Sequence, residues 1–181
     1  MYNYCGELCV INHYIIKTFL KNHNIALDCT LGNGHDTDFL KDNFKEVYSF
    51  DIQKCAVDAY KNKNYENVNV ILDSHSNIDK YLNKNIDCAM YNLGFLPGGN
   101  KEITTLGETS LESIKKALEL LNEGGLITIA LYSGHDEGKK EKDLLYNFFE
   151  TLPKNKYGVM EHKYMNRSEN APSLIVIEKK L

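Results

Sequence analysis

An apolar run, Ile25-Ala26-Leu27, ends in Asp28 and is followed by Cys29-Thr30-Leu31-Gly32-Asn33-Gly34-His35-Asp36-Thr37. That order reads as a buried strand, a tight Gly-x-Gly turn and a helix N-terminus. Glycine suits such a turn because it takes positive φ and lets a ligand approach the backbone. A second apolar run, Val47-Tyr48-Ser49-Phe50, closes in Asp51, where a carboxylate can accept both hydroxyls of a ribose. Together the two runs point to a nucleotide-type ligand.

What is missing narrows the choice. A dinucleotide fingerprint wants a third glycine where this chain has Thr37. A phosphate-cradling loop wants Gly-Lys-Ser/Thr, and no lysine lies between Lys21 and Lys41. An acid at position 28 would repel a pyrophosphate but suits a ligand carrying an ammonium and a sulfonium. S-adenosylmethionine is that ligand, and an ordinary βα turn with a capping Asp is the alternative. The amino-acid end of the donor is assigned to Asp28, Gly32, Asn33, Gly34, His35, Asp36 and Thr37. The ribose and adenine are assigned to Asp51, Ile52 and Gln53, with Asp73, Ser74 and His75 at the adenine edge; Asp73 or Ser74 capping a helix is the alternative there.

The chain of 181 residues suits one domain, 1–181, with residues 1–24 as a leading helical segment. A formal net charge of −4 provides no bulk basic field for nucleic acid, although a local patch would suffice. No apolar run is long enough to span a membrane, and the N-terminus lacks a signal-peptide pattern. Five cysteines without a Cys-x-x-Cys pair read as reduced thiols of a cytoplasmic protein. The six histidines are scattered without metal-ligand spacing, so no metal is expected. Oligomeric state stays open, a homodimer included.

Periodicity predicts a helix over 8–20 with an apolar face of Val10, Ile11, Tyr14, Ile15, Thr18 and Phe19, lying beside the first strand. His13 within it reads as a surface or half-buried histidine. Strands follow at 25–29, 47–50, 68–72, 86–91 and 126–132, alternating with helices at 35–43, 54–62, 109–121 and 139–152. Asn122-Glu123-Gly124-Gly125 reads as a glycine helix stop. Two last strands, 157–164 and 174–178, are joined too closely for a crossover and should be antiparallel. The expected fold is α/β and Rossmann-like: a mostly parallel seven-stranded sheet with one antiparallel edge strand and helices on both faces, the class I methyltransferase plan.

Asn92-Leu93-Gly94-Phe95 follows the fourth strand, where enzymes that methylate exocyclic amines carry Asn/Asp-Pro-Pro-Tyr/Phe. Asn92 and Phe95 are therefore the catalytic candidates, the first to orient an amine and the second to pack on a base. Asn92 and Leu93 also border the donor. A glycine-rich loop with Phe95 in the core is the alternative. Pro97, Gly98, Lys101, Tyr132, His135 and Arg167 are candidate substrate contacts. Cys29 and Cys88 fall inside strands and read as core residues, not nucleophiles. Lys139, Lys140 and Lys142 interleave with Glu137, Glu141 and Asp143 and read as a solvated helix face.

Several strings together resemble a known family: Asp28 to Thr37, Phe50-Asp-Ile-Gln53, Ser74-His75, Asn92-Leu-Gly-Phe-Leu-Pro-Gly-Gly-Asn-Lys101, Tyr132-Ser-Gly-His-Asp-Glu-Gly138 and Ile175-Val-Ile-Glu-Lys179. They resemble the small bacterial proteins long labelled rRNA methylases and now understood as unfused tRNA 5-(aminomethyl)uridine methyltransferases. The resemblance implies N-methylation by S-adenosylmethionine of 5-aminomethyl(-2-thio)uridine at the wobble position, with the tRNA anticodon stem-loop as partner. Two loops depart from the family pattern. Asn166-Arg-Ser-Glu-Asn-Ala-Pro172 stands where Asn-Gln-x-Asn-x-Pro-Pro is expected, and Ser133 stands where histidine is expected. Methylation of rRNA or a small amine, and non-catalytic donor-dependent RNA recognition, are the competing readings.

Overall fold

The computed structural model describes residues 2, 4–94, 104–134 and 136–181. Its elements run α1 (Leu8–Phe19), β1 (Ile25–Asp28), α2 (His35–Asn43), β2 (Glu46–Asp51), α3 (Lys54–Lys61) and β3 (Val68–Leu72). A short 3-10 helix (His75–Lys80) precedes β4 (Ile86–Leu93), α4 (Gly107–Leu120), β5 (Leu121–Leu131), α5 (Asp136–Glu150), β6 (Tyr157–His162) and β7 (Ser173–Lys179). The strands form one seven-stranded sheet in the order β3-β2-β1-β4-β5-β7-β6. β1 to β5 are parallel, and β7 pairs antiparallel with both β5 and β6. The mostly parallel sheet with a reversed element at one edge is the expected fold; β7 occupies the place one strand in, and β6 closes the edge.

Strand periodicity sends alternate residues to opposite faces. On β4, Ala89, Tyr91 and Leu93 join one core cluster with Ile114 and Ala117 of α4 and Leu145 of α5, while Cys88 and Met90 join the other with Ile16 of α1 and Leu40 of α2. Asn92 shares the parity of Cys88 and Met90, so it belongs to the α1/α2 face. Strand order reverses between β1 and β4, and in a doubly wound sheet that is where ligands meet the carboxyl ends of the strands. Asp28 ends β1 there, and Asn92 stands near the end of β4.

Two local expectations fail. α1 buries Leu8, Asn12, Ile15 and Ile16 and leaves Val10, Tyr14 and Phe19 exposed, and it packs across β5 and β7 instead of beside β1. Its sequence is apolar on nearly every side, so periodicity could not choose the stripe; the sheet and α2 choose it. The Gly124-Gly125 pair does not stop α4 either. Leu121 is already extended, and residues 122–125 form an irregularity inside β5, where the register jumps from Ile86 opposite Leu121 to Cys88 opposite Leu126. Gly124 takes φ +70° there. Asn122 Nδ2 donates to Asp87 Oδ1 at 2.7 Å and pins the bulge to β4.

Candidate active site

The turn between β1 and α2 is held by side chains the sequence had singled out. Asp28 is fully buried. Its Oδ1 accepts from Thr30 N at 3.0 Å and its Oδ2 from Thr37 Oγ1, which is itself 2.6 Å from Ser49 Oγ. Gly32 and Gly34 take φ +50° and +82°. A Cβ at Gly34 would lie 2.4 Å from the Tyr60 ring, so both backbone angle and space require glycine. Asp51, from the neighbouring strand, accepts from Gly32 N at 2.9 Å and from Gln53 N at 2.8 Å. It ties the turn to the end of β2.

A second layer joins three elements. Asp36, in the first turn of α2 and 6% exposed, accepts from His13 Nε2 at 2.7 Å through Oδ1 and from Asn92 Nδ2 through Oδ2. Asn92 N donates to Thr30 Oγ1 at 2.7 Å, joining the end of β4 to the turn. The His13 ring lies flat on Phe39, with centroids 3.8 Å apart and planes 2° apart. His13 is the residue that sequence reasoning missed. It lies on a helix with no motif around it, 23 positions from the acid it binds.

Other assigned residues take clear places. His35 is exposed at the start of α2, Asn33 is exposed in the turn, and Ile52 is exposed just beyond Asp51. Asp73 accepts from Asn77 Nδ2, Tyr81 Oη and Ser74 N at 2.7–2.9 Å, and Ser74 Oγ accepts from Ser76 N. Both thus brace the short helix after β3, and the hydrogen bond from Asn77 leads in holding the Asp73 carboxyl below its ordinary pKa. His75 is buried edge-on to Tyr91, and burial pushes its pKa down to about 4. Leu93 is buried towards α4.

Tyr132, just past β5, stands beside Gly94 and within electrostatic reach of Asp36 and Tyr164; burial is the main cause that raises its pKa. Arg167 stacks on Tyr164 at 3.6 Å, and Tyr164 Oη donates to Gly6 O at 2.6 Å. One margin therefore carries α1's leading segment, Tyr132 and Arg167. Phe95, Pro97, Gly98, Lys101 and His135 lie outside the described residues. Cys29 and Cys88 are buried with thiols pushed up by burial, in keeping with core roles. Lys140 pairs with Glu137 at 2.6 Å on the exposed side of α5, but Glu141 departs from the expected solvated face: it is buried against α4 and accepts from Thr105 Oγ1 and Ser110 Oγ. Among the described residues, no group of three or more His, Cys, Asp and Glu side chains is placed to hold a metal, and no helix is long and apolar enough to cross a membrane.

Electrostatics decide what the turn can hold. Burial, then the neighbouring Asp36 charge, push the pKa of Asp28 up to about 7. Three carboxylates, Asp28, Asp36 and Asp51, thus surround one glycine turn without a lysine or arginine bonded to any of them among the described residues. Such a site favours a cation. A donor with a sulfonium and an ammonium fits that charge, and a pyrophosphate does not. A hollow of about 410 Å³ at the β3 edge is lined by Tyr48, Tyr60, Tyr65 and Tyr81, and Tyr60 is also the ring packed against Gly34.

Sheet order, acidic turn and Asn92 at the strand-order reversal define a class I, S-adenosylmethionine-dependent methyltransferase. The chain belongs to the family described as "Putative rRNA methylase", whose model matches residues 47–178. It is similar to a crystal structure named as a "putative rRNA-methylase" from Clostridium thermocellum, with 35% identity, TM-score 0.90, and coverage of 96% of this chain and 98% of that one. A "putative methyltransferase" from Streptococcus mutans, crystallised with SAH, matches at 38% identity and TM-score 0.86, again over 96% and 98%. The tRNA (mnm(5)s(2)U34)-methyltransferase of Arabidopsis thaliana chloroplasts is 32% identical over 188 residues, covering 94% of this chain and 68% of that protein.

Proposed function

We propose that this enzyme methylates the exocyclic amine of 5-aminomethyl(-2-thio)uridine at the wobble position of tRNA, giving the 5-methylaminomethyl product. The observation that carries the reading is the orientation of Asn92. Asp36 can only accept hydrogen bonds, so it selects the Nδ2 end of the Asn92 amide and leaves Oδ1 turned away as an acceptor. An acceptor is what a neutral primary amine needs to aim its lone pair, and positioning of this kind supplies much of the catalysis in a methyl transfer. The likeness to the chloroplast tRNA methyltransferase supports the substrate class.

S-adenosylmethionine, when bound, supplies a methyl group activated on a sulfonium. The Gly32–Gly34 turn would hold its amino-acid end, with Asp28 acting mainly through the negative potential it adds from below, and Asp51 would hold the ribose. Asn92 Oδ1 then accepts an N–H of the amine. An alkylamine is mostly protonated near neutral pH, so the pocket must favour the free base before attack, and desolvation at this half-buried edge works in that direction. Tyr132 and Arg167 would contact the anticodon loop.

Asn92→Ala tests the assignment. Donor affinity should persist, while single-turnover methyl transfer should fall by about 10²-fold, because a positioned hydrogen bond acts chiefly on the transition state. Undiminished transfer by a stable, donor-binding Asn92→Ala protein would remove Asn92 from the mechanism.

A further inference from the structure

The reading above makes Asn92 the group that aims the amine and Asp36 the group that turns its amide, and it leaves unexplained what holds Asp36 in place. An asparagine side chain presents a donor at one end and an acceptor at the other, and a flip exchanges them. With the ends exchanged, Nδ2 would face the N–H of the substrate, donor against donor. The backbone of Asn92 is fixed by Thr30, but a backbone contact does not set the amide. Asp36 does.

Asp36 is in turn held by His13. Its two oxygens each take one donor, His13 Nε2 from α1 and Asn92 Nδ2 from β4, so the carboxylate bridges the two elements. The imidazole is fixed in plane by Phe39, which lies three residues after Asp36 and on the same face of α2. His13 is partly exposed, with a quarter of its side chain accessible, so its burial is incomplete and its hydrogen bond is the feature that distinguishes it from its helical neighbours. We propose that His13 is a positioning residue for methyl transfer: it locks Asp36, and through Asp36 the Asn92 amide, with Oδ1 towards the amine. The competing role is a purely structural one, in which His13 only fastens α1 to α2.

This inference rests on the assignment of Asn92, and a double-mutant cycle separates the two. The full-length protein, saturated with S-adenosylmethionine, is assayed on an anticodon stem-loop bearing 5-aminomethyluridine at the wobble position. His13→Ala should lower the single-turnover rate about 10-fold with donor affinity unchanged and only a small drop in melting temperature from the lost contacts with Phe39 and Asp36, since a loosened aiming group acts on orientation. His13→Gln, whose amide can still donate to Asp36, should restore most of that loss. In an Asn92→Ala background, His13→Ala should cost nothing further, because the two act as one unit. Equal losses in both backgrounds would overturn the proposal, as would a His13→Ala enzyme of undiminished rate, or one that loses stability and donor affinity in step with rate. If Asn92→Ala alone transfers methyl at the wild-type rate, the underlying assignment fails and this inference falls with it.

Discussion

Asp28 carries the most perturbed chemistry at the single-residue scale. Its pKa in the folded protein is about 7, against 3.8 for an ordinary Asp, first because it is buried and second because Asp36 is near. The folded state therefore binds the extra proton between those values. Asp28's contribution to stability is fully present below about pH 4 and is lost as pH rises towards 7. His75 works the other way: its folded pKa of about 4 lies below the ordinary 6.5, so its contribution is present above 6.5 and is lost as pH falls towards 4. Asp28→Asn leaves only the second effect. Its unfolding free energy should fall more steeply than that of the wild type between pH 6.5 and 4.5, by a limiting slope of about 1.4 kcal/mol per pH unit. Parallel pH profiles for the two proteins would contradict the assignment. A cationic donor favours the carboxylate, so S-adenosylmethionine should bind with proton release at pH 6.5 and gain affinity as pH rises to 7. Calorimetry in buffers of different ionisation enthalpy measures that release, and Asp28→Asn should lack it.

At the scale of elements, the turn and the β5 bulge make a matched pair of tests. Gly34→Ala forces φ +82° on a side chain and drives Cβ to 2.4 Å from Tyr60; Gly124→Ala meets φ +70° and Leu181 at 2.8 Å. Both should lose about 1–3 kcal/mol of stability in denaturant titrations. Only Gly34→Ala should also weaken donor binding, because Gly124 lies in the early part of β5, far from the carboxyl ends of the strands. Equal donor affinities in the two variants would place the turn outside the site. The same pair shows what could be read in advance. The bounds of α2 and β3 follow from local signals alone, an apolar run beside polar residues that start a helix. The Gly124-Gly125 pair looks identical as a helix stop or a bulge, and the choice depends on Asp87 and Asn122 meeting across strands. The places of Asp28, Asp51 and Asn92 at strand ends were legible because each ends an apolar run. His13 was not, since its meaning exists only once α1 lies beside α2.

On the scale of the whole molecule, α1 links stability to chemistry. Ile16, wholly buried between α1, α2 and the sheet, belongs to the same cluster as Leu40 and Met90, and its helix carries His13. Ile16→Ala should cost about 2–5 kcal/mol, read as a shift in denaturant midpoint. A midpoint that does not move would mean that α1 is not docked on the sheet as described. Strand order brings Asp28, Asp36, Asp51 and Asn92 to one edge from four separate elements, so charge, glycine turn and amide orientation arise together from the fold. As proposed above, this edge transfers a methyl group to an alkylamine on a modified wobble uridine. The most direct measurement is nucleoside mass spectrometry after incubation with S-adenosylmethionine and paired anticodon stem-loops, one bearing 5-aminomethyluridine and one unmodified. The first should yield 5-methylaminomethyluridine and the second nothing; equal methylation of both, or a methyl group on a ring carbon or ribose oxygen, would rule out amine transfer at this edge.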